Sequence, residues 1–158
     1  MSLAPELEPL EQRLNGLPRL RWMREIAELD LRREIRSLHK EGVSQSEIAR
    51  RLGVSQPAVN ALLKRASEIP EPREGFSGAS PAEICQRYAA GALSRDQVID
   101  ELSRWDYEES AFDDEAVSLG LDDASIEPDG TFQEVIQAAD QALISGEIYD
   151  QVMKALSE

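Results

Sequence analysis

Cysteine, histidine and long apolar runs are scarce in this sequence, and each scarcity excludes a class of protein. One cysteine, Cys85, can form no internal disulfide, and with the one histidine, His39, it cannot supply the ligands of a structural zinc site. No apolar run approaches the roughly 20 residues that span a bilayer, and the first residues show no signal-peptide pattern. We therefore expect a soluble, cytoplasmic protein without a metal or cofactor.

Residue combinations that would argue for catalysis are also missing. Asp113 and Asp114 are neighbouring carboxylates, but such neighbours are common in their acidic stretch, and no nucleophile lies beside a candidate base. Hydrophobic residues make up 41% of the chain and aromatic residues only 5%, which supports a modest core. We therefore expect no catalytic residues, and a function in recognition instead of an enzyme activity.

Charge is distributed unevenly along the 158 residues. The 31 acidic and 17 basic residues give a formal net charge of −14, which by itself argues against binding to a phosphate backbone. Residues 1–74, however, have a net charge of +1 and residues 75–158 a net charge of −15, while residues 19–65 alone reach +5. The two halves therefore need separate interpretations.

Proline, glycine and helical periodicity divide the chain into segments. Apolar residues recur every three or four positions from Leu20 to Lys40, and two short helical patterns follow before a group of prolines and glycines. No segment alternates with a period of two, so we predict an all-α fold. The predicted segments are a flexible leader at 1–18, a helical domain at 19–68, a linker at 69–79 and an acidic helical region at 80–158, with 106–130 as a loop or disordered.

The acidic half contains a weak internal repeat at a shift of 51 residues. Each copy predicts a small helical hairpin with a serine at the turn, although chance similarity between short amphipathic helices explains the match nearly as well. The shift places Glu83, Ile84, Gln86 and Ser94 on Glu134, Val135, Gln137 and Ser145.

Residues 45–64, QSEIARRLGVSQPAVNALLK, form the most informative stretch. Ala49 allows two helices to cross closely, and Gly53 suits a sharp turn in which a positive φ favours glycine. Ser55 is a good N-cap, and Pro57 fits the first turn of a second helix. The residues that we expect in the apolar core of this unit are Leu31, Ile35, Leu38, Ile48, Leu52, Val54, Val59 and Leu62.

This stretch strongly resembles the helix-turn-helix of bacterial DNA-binding regulators, so we expect a helix-turn-helix domain at 19–68. The resemblance implies that the second helix enters the major groove of double-stranded DNA. The expected base contacts are Ser55, Gln56, Pro57, Asn60 and Ala61. The expected phosphate contacts are Arg50, Arg51, Lys64, Arg65 and Lys40, and Arg32, Arg33 and Arg36 extend this basic face. Gln56 and Asn60 each offer the paired donor and acceptor that suit adenine.

The acidic half is interpreted as a protein-binding region. Tyr88, Trp105, Tyr107 and Phe112 are candidate anchors for a basic partner, because aromatic side chains are common at interfaces. The alternative is that Trp105 and Tyr107 complete a small core. Segments within 80–107 and 132–149 loosely resemble actinobacterial small regulators, some of which resemble antitoxins with a DNA-binding head and an acidic tail that neutralises a cognate toxin.

Three functions fit these patterns. The first is an antitoxin-type repressor that binds DNA and a protein partner. The second is a stand-alone or phage-type repressor whose C-terminal half serves dimerisation, and the third is a non-enzymatic DNA-targeting adaptor of a larger complex. Since one helix-turn-helix reads few base pairs, we expect a homodimer, with the helix at Arg19–Leu29, bearing Trp22 and Ile26, or the C-terminal helix as the contact.

Overall fold

The computed structural model describes residues 4–108 and 130–158, with side chains from residue 8 onward. These residues form the helices α1 (Ala4–Asn15), α2 (Leu17–Lys40), α3 (Gln45–Leu52), α4 (Gln56–Ala66), α5 (Pro81–Ala89), α6 (Arg95–Arg104), α7 (Gln133–Asp140) and α8 (Gly146–Leu156). Within the described ranges the only β-type pairing is an isolated bridge between Glu108 and Thr131. The predicted all-α fold is confirmed. The predicted loop at 106–130 lies almost entirely outside the described residues.

The chain divides into two compact units, residues 1–71 and residues 72–158. The boundary falls inside the predicted linker at 69–79, but both sides of that segment are bound to their own unit. In the first unit, Arg33 donates to the carbonyl of Pro70 at 2.7 Å. In the second, the Ser77 hydroxyl donates to Glu101 at 2.7 Å. Both ends of the predicted linker are therefore hydrogen-bonded to helices of their own units, through Arg33 of α2 and Glu101 of α6.

Helix α1 occupies most of the segment that was predicted to be a flexible leader. It includes Pro9, which lacks the amide proton for one helical hydrogen bond, and it ends just before Gly16. Pro18 then stands in the first turn of α2, where a missing amide proton costs nothing. The two prolines therefore mark positions within helices and not the absence of a helix.

The core of the first unit lies where the second part of α2 meets α3 and α4. Ile35, Ile48, Ala49 and Val59 are buried there, and the partly buried residues that pack against them are Leu38, Val43, Leu62 and Leu63. Three residues predicted for this core, Leu31, Leu52 and Val54, are instead exposed. Three short helices enclose only a small volume, so the residues at its edge stay in contact with solvent.

The second unit consists of two helical hairpins, α5–α6 and α7–α8, in which α5 packs on α7 and α6 on α8. Its core contains Ile84, Val98, Leu102, Val135, Ile148 and Val152. The hairpins match at the predicted shift of 51 residues. Ser94 and Ser145 each cap the second helix of their hairpin, and Gly91 and Ala142 both have positive φ just after the first helix.

The match between the hairpins extends to their hydrogen bonds. The amide of Ala92 donates to the carbonyl of Arg87 at 2.8 Å, and at the equivalent position Leu143 donates to Ala138 at 2.9 Å. The carboxylate of Glu83 accepts the amide of Ala79, and Glu134 likewise accepts the amide of Gly130. Agreement in backbone geometry, not only in residue type, shows that the repeat is a structural one.

No helix in the described part of the chain is long and apolar enough to cross a membrane.

Candidate nucleic-acid interface

Helices α3 and α4 are joined by a short turn, and a serine side chain caps the N-terminus of each helix. The hydroxyl oxygen of Ser44 accepts the amide of Glu47 at 3.1 Å, and that of Ser55 accepts the amide of Ala58 at 3.3 Å. Gly53 ends α3 with φ 72°, the left-handed conformation predicted for this position. Pro57 lies in the first turn of α4, as expected. These caps hold α4 at a defined angle to α3.

The first turns of α4 present the side chains that were predicted to contact bases. Ser55, Gln56, Pro57 and Ala61 are exposed, and Asn60 is half-buried on the same surface. The hydroxyl oxygen of Ser55 is engaged in the helix cap, which leaves its proton available for donation outward. Asn60 and Gln56 are one turn apart, so they lie on one strip of the helix.

Gln45, the first residue of α3, was not among the predicted contacts. The side-chain amide of Gln56 donates to the Oε1 atom of Gln45 at 2.6 Å. This bond fixes the direction of the Gln56 side chain and leaves its own carbonyl oxygen and second amide proton unused. The sequence signal was the presence of glutamine at the first position of two consecutive helices. That signal becomes meaningful only when the turn brings the two positions together.

Arg50 and Arg51, two of the expected phosphate contacts, are both bound to Glu47. Arg50 donates to the Glu47 carboxylate at 2.7 and 3.0 Å, and Arg51 donates to it at 3.0 Å. The hydrogen bond from Arg50, followed by that from Arg51, lowers the pKa of Glu47 to about 2. Glu47 is therefore ionised at neutral pH, and the three side chains together have a net charge of +1.

Lys40, Lys64 and Arg65 are the other expected phosphate contacts. All three are exposed, and none forms an ion pair with another residue in the described part of the chain. Lys64 and Arg65 lie in the last turn of α4, and Lys40 lies at the end of α2. These cations are available to an anionic partner without first breaking an ion pair.

Arg33 and Arg36 do not extend the basic face as expected. Arg33 is buried and donates twice to the carbonyl of Pro70. Arg36 donates to the carbonyls of Ala66 and Ile69 and to the carboxylate of Glu71. The two guanidinium groups therefore bind the end of α4 and the segment after it to α2. Their charge faces these carbonyls and not solvent.

Two of the four predicted partner anchors, Trp105 and Tyr107, pack against residues of their own unit. Trp105 is only 6% exposed, packs edge-to-face on Phe76 at 4.8 Å and lies beneath the Arg73 guanidinium. Tyr107 donates its hydroxyl to the carbonyl of Leu102, and burial raises its pKa. The burial of Trp105 favours the alternative in which Trp105 and Tyr107 complete a small core over the one in which they are partner anchors.

Tyr88 is half-buried, and Phe112 lies outside the described residues. Cys85 is fully buried, and burial raises the pKa of its thiol to about 12, so it is protonated at neutral pH. The described part of the chain contains no group of three or more histidine, cysteine, aspartate or glutamate residues arranged to hold a metal ion.

Residues 35–68 match the family described as winged helix-turn-helix DNA-binding. The matched segment contains the second part of α2, all of α3 and all of α4, and it ends before the second unit. The chain therefore carries a helix-turn-helix DNA-binding domain in its N-terminal part. Among the described residues that follow α4 in the first unit there is no strand, so they form no wing. No curated protein and no solved structure matches the chain.

Proposed function

We propose that this protein is a sequence-specific regulator of transcription that inserts the first turns of α4 into the major groove of duplex DNA. The observation that carries this proposal is the strip of exposed Ser55 and Gln56 and half-buried Asn60 on a capped helix, which we call the recognition strip. Amide side chains recognise adenine through a donor and an acceptor used together. Gln45 holds Gln56 in place, which reduces the entropy lost when a base is bound.

The cations around the first turns of α4 support the same orientation of this helix in the major groove. Lys64 and Arg65 follow the recognition strip on α4, while Arg50 and Arg51 project from the last turn of α3. Such contacts add affinity and salt dependence and set the register of the helix in the groove, while base contacts choose the sequence. The local charge of +5 over residues 19–65 makes this approach favourable.

We propose repression as the mode of regulation and a homodimer as the active form. Occupying an operator is sufficient to repress, whereas activation needs a further contact with the transcription machinery. Two copies are expected because one helix-turn-helix reads few base pairs, and a symmetric pair reads two half-sites.

The recognition strip is tested by selecting duplexes from a random pool and then substituting residues. Gln56→Ala and Asn60→Ala should each cost about 1–3 kcal/mol on the selected site and relax base preference at one position. Lys64→Ala should weaken binding to all duplexes about equally. Gln137→Ala, which removes an exposed glutamine of the second unit, is the matched control and should change nothing. Selection of no sequence, or unchanged binding by Gln56→Ala and Asn60→Ala, would contradict the proposal.

A protein partner for the second unit is a second proposal, supported by its surface charge. Its described residues carry 12 acids and 5 bases, and of the acids only Glu83, Glu101 and Glu134 are buried. The exposed carboxylates repel DNA and suit a basic protein, as an antitoxin-type role requires. Co-expression with the product of the neighbouring gene tests this role. A partner that binds the full chain equally well after the exposed acids are changed to amides would exclude it.

A further inference from the structure

Helix α2 is longer than its helix-turn-helix core requires. It has 24 residues, which corresponds to roughly 36 Å, and only its second part contributes Ile35 and Leu38 to the core. We call α1 together with residues 17–31 of α2 the stem. The hydrogen bonds from the amide of Gly16 to the carbonyl of Gln12 and from the amide of Leu20 to the carbonyl of Gly16 continue the helical path from α1 into α2. Because helices in water gain most of their stability from packing an amphipathic face, the stem is an element that still has apolar surface to bury.

The stem presents to solvent an apolar stripe that is interrupted by Arg24. Leu17, Leu20, Met23 and Leu31 fall within about a third of the helix circumference at 3.6 residues per turn, the same third that contains Ile35 and Leu38. In the second part of α2 this stripe is covered by the core, whereas in the stem these four residues are between 38% and 61% exposed. Leu10 and Leu14 of α1 are also more than half exposed.

The exposed stripe is not the face of α2 that the sequence suggested as a dimer contact. Trp22 and Ile26, the residues that suggested a dimer contact, lie on the other side of α2, where Ile26 is buried and Trp22 half-buried within the chain. A large exposed apolar patch on a water-exposed helix marks an interaction site. The residues available for an interaction are therefore the leucines and the methionine of the stripe.

The charges beside the stripe indicate what covers it. Bases come first along α2, at Arg19, Arg21 and Arg24, and acids follow, at Glu25, Glu28 and Asp30. If two copies of α2 pair in antiparallel fashion around the junction between Arg24 and Glu25, each basic segment lies beside the acidic segment of the other copy. A parallel pair would place like charges together, which is destabilising.

We propose that two copies of this chain associate through an antiparallel pairing of their stems, with the stripe buried between them. This inference deepens the proposed function and rests on it for its consequence on DNA. Residue 35 of each copy would lie roughly 32 Å from its equivalent along the paired helices. That separation is close to one turn of B-DNA, roughly 34–36 Å, so the two copies of α4 would be spaced to reach successive major grooves.

The pairing is tested on the full chain by light scattering coupled to size exclusion. The wild type should have twice the 17.6 kDa mass of one chain, and L20E/M23E should have the mass of one chain with an unchanged helical circular dichroism spectrum. M153E/L156E, which changes two exposed apolar residues of the second unit, is the matched control and should remain a dimer. A monomeric wild type, or a dimeric L20E/M23E, would overturn the proposal.

A charge exchange tests the direction of pairing independently of the apolar residues. R21E/R24E leaves Arg19 as the one base among the six charged positions from 19 to 30, and E25R/E28R leaves Asp30 as the one acid, so each variant alone should dimerise more weakly. Mixing them should restore a dimer that contains one of each. Glu28 already pairs with Arg32 of its own helix, so its contribution should be the smaller one. A parallel pair already places like charges together in the wild type, so each variant alone would then dimerise as well as the wild type. That result, or failure of the mixture to form a mixed dimer, would exclude the antiparallel arrangement.

Binding to selected half-sites separates this inference from the proposed function. The wild type should favour two inverted half-sites one helical turn apart over the same half-sites half a turn further apart, and L20E/M23E should bind both as it binds a single half-site. If the wild type is a dimer that L20E/M23E disrupts but selects no DNA sequence, the proposed function fails and the stem pairing stands. If it reads DNA as a monomer, the stem pairing fails alone.

Discussion

At the scale of single residues, Glu47 shows why the number of arginines and lysines overstates the positive charge that is available to bind DNA. Arg50 and Arg51 were expected to reach phosphates, yet both donate to one carboxylate whose pKa they hold near 2. Because that pKa is depressed below the ordinary value of 4.5, the carboxylate form and its pairs persist at neutral pH. They are lost only as the pH falls from about 4.5 towards 2.

Replacing Glu47 with glutamine should therefore strengthen non-specific DNA binding. The substitution removes one negative charge from the surface of α3 and frees both guanidinium groups for phosphates. The slope of log affinity against log salt concentration should become steeper by about 1. Asp140→Asn removes an exposed carboxylate from the second unit and is the matched control. A slope that is equal in Glu47→Gln and the wild type would show that this surface does not approach DNA.

Gln45 and Trp105 are two residues whose roles could not be assigned from the sequence alone. An aromatic residue next to acids fits both an interface and a core, and composition does not separate the two. Trp105 is in the core because Phe76 and Arg73, which are distant from it in sequence, cover its ring. Gln45 was not predicted as part of the site, because its role depends on a contact with Gln56 across the turn between α3 and α4.

At the scale of elements, the turn between α3 and α4 depends on one backbone conformation. Gly53 has φ 72°, and a Cβ atom built there would meet no other atom within 4 Å. Substitution at this position is therefore governed by backbone strain and not by a steric clash. The local sequence was sufficient to predict this turn, because the preference of glycine for such a conformation does not depend on tertiary contacts.

Gly53→Ala should lower the free energy of unfolding of the first unit by about 1–2 kcal/mol, the cost of placing a side chain in the left-handed region. Urea denaturation followed by circular dichroism measures this change. Gly146→Ala is the control, since Gly146 is helical, lacks a positive φ and also has open space around its Cβ position. Equal stability of Gly53→Ala and the wild type would show that the turn can relax without cost.

Element boundaries were predicted well where caps are local and poorly where they are not. The ends of α3 and α4 followed from Ser55, Gly53 and Pro57, and the start of α5 followed from Ser80 and Pro81. The segment at 69–79 was predicted to be a linker because proline and glycine lack helical propensity. Whether such a segment is free depends instead on partners such as Arg33 and Glu101, which other helices supply.

At the scale of the whole molecule, the acidic residues are concentrated in the second half of the chain, after the basic segment at 19–65. Residues 109–129, which lie outside the described ranges, contain eight acids and no lysine or arginine. The residues on either side of this segment meet, since the amide of Glu108 donates to the carbonyl of Gly130 at 3.3 Å. A change within 109–129 therefore need not alter the described fold of the second unit.

Changing the eight acids of 109–129 to their amides should raise DNA affinity at low salt. We expect the segment to compete with DNA for the basic unit, so the gain should vanish at high salt, where the attraction between the segment and the basic unit is screened. Titration of a labelled duplex at two salt concentrations measures the effect, and thermal unfolding checks that the second unit is intact. If low-salt affinity does not change, competition by this segment is excluded.

The amino-acid sequence by itself determined the all-α class, the helix-turn-helix and the hairpin repeat. These features follow from periodicity, caps and turn residues, which act over a few positions. Only the tertiary structure decided that Arg33 and Arg36 bind carbonyls, that Glu47 holds two arginines and that Trp105 is interior. It also decided that the apolar stripe of α2 is covered in one part and exposed in the other. These outcomes depend on contacts between residues that are distant in the sequence, because burial and ion pairing are set by the neighbours that a residue has in the folded protein.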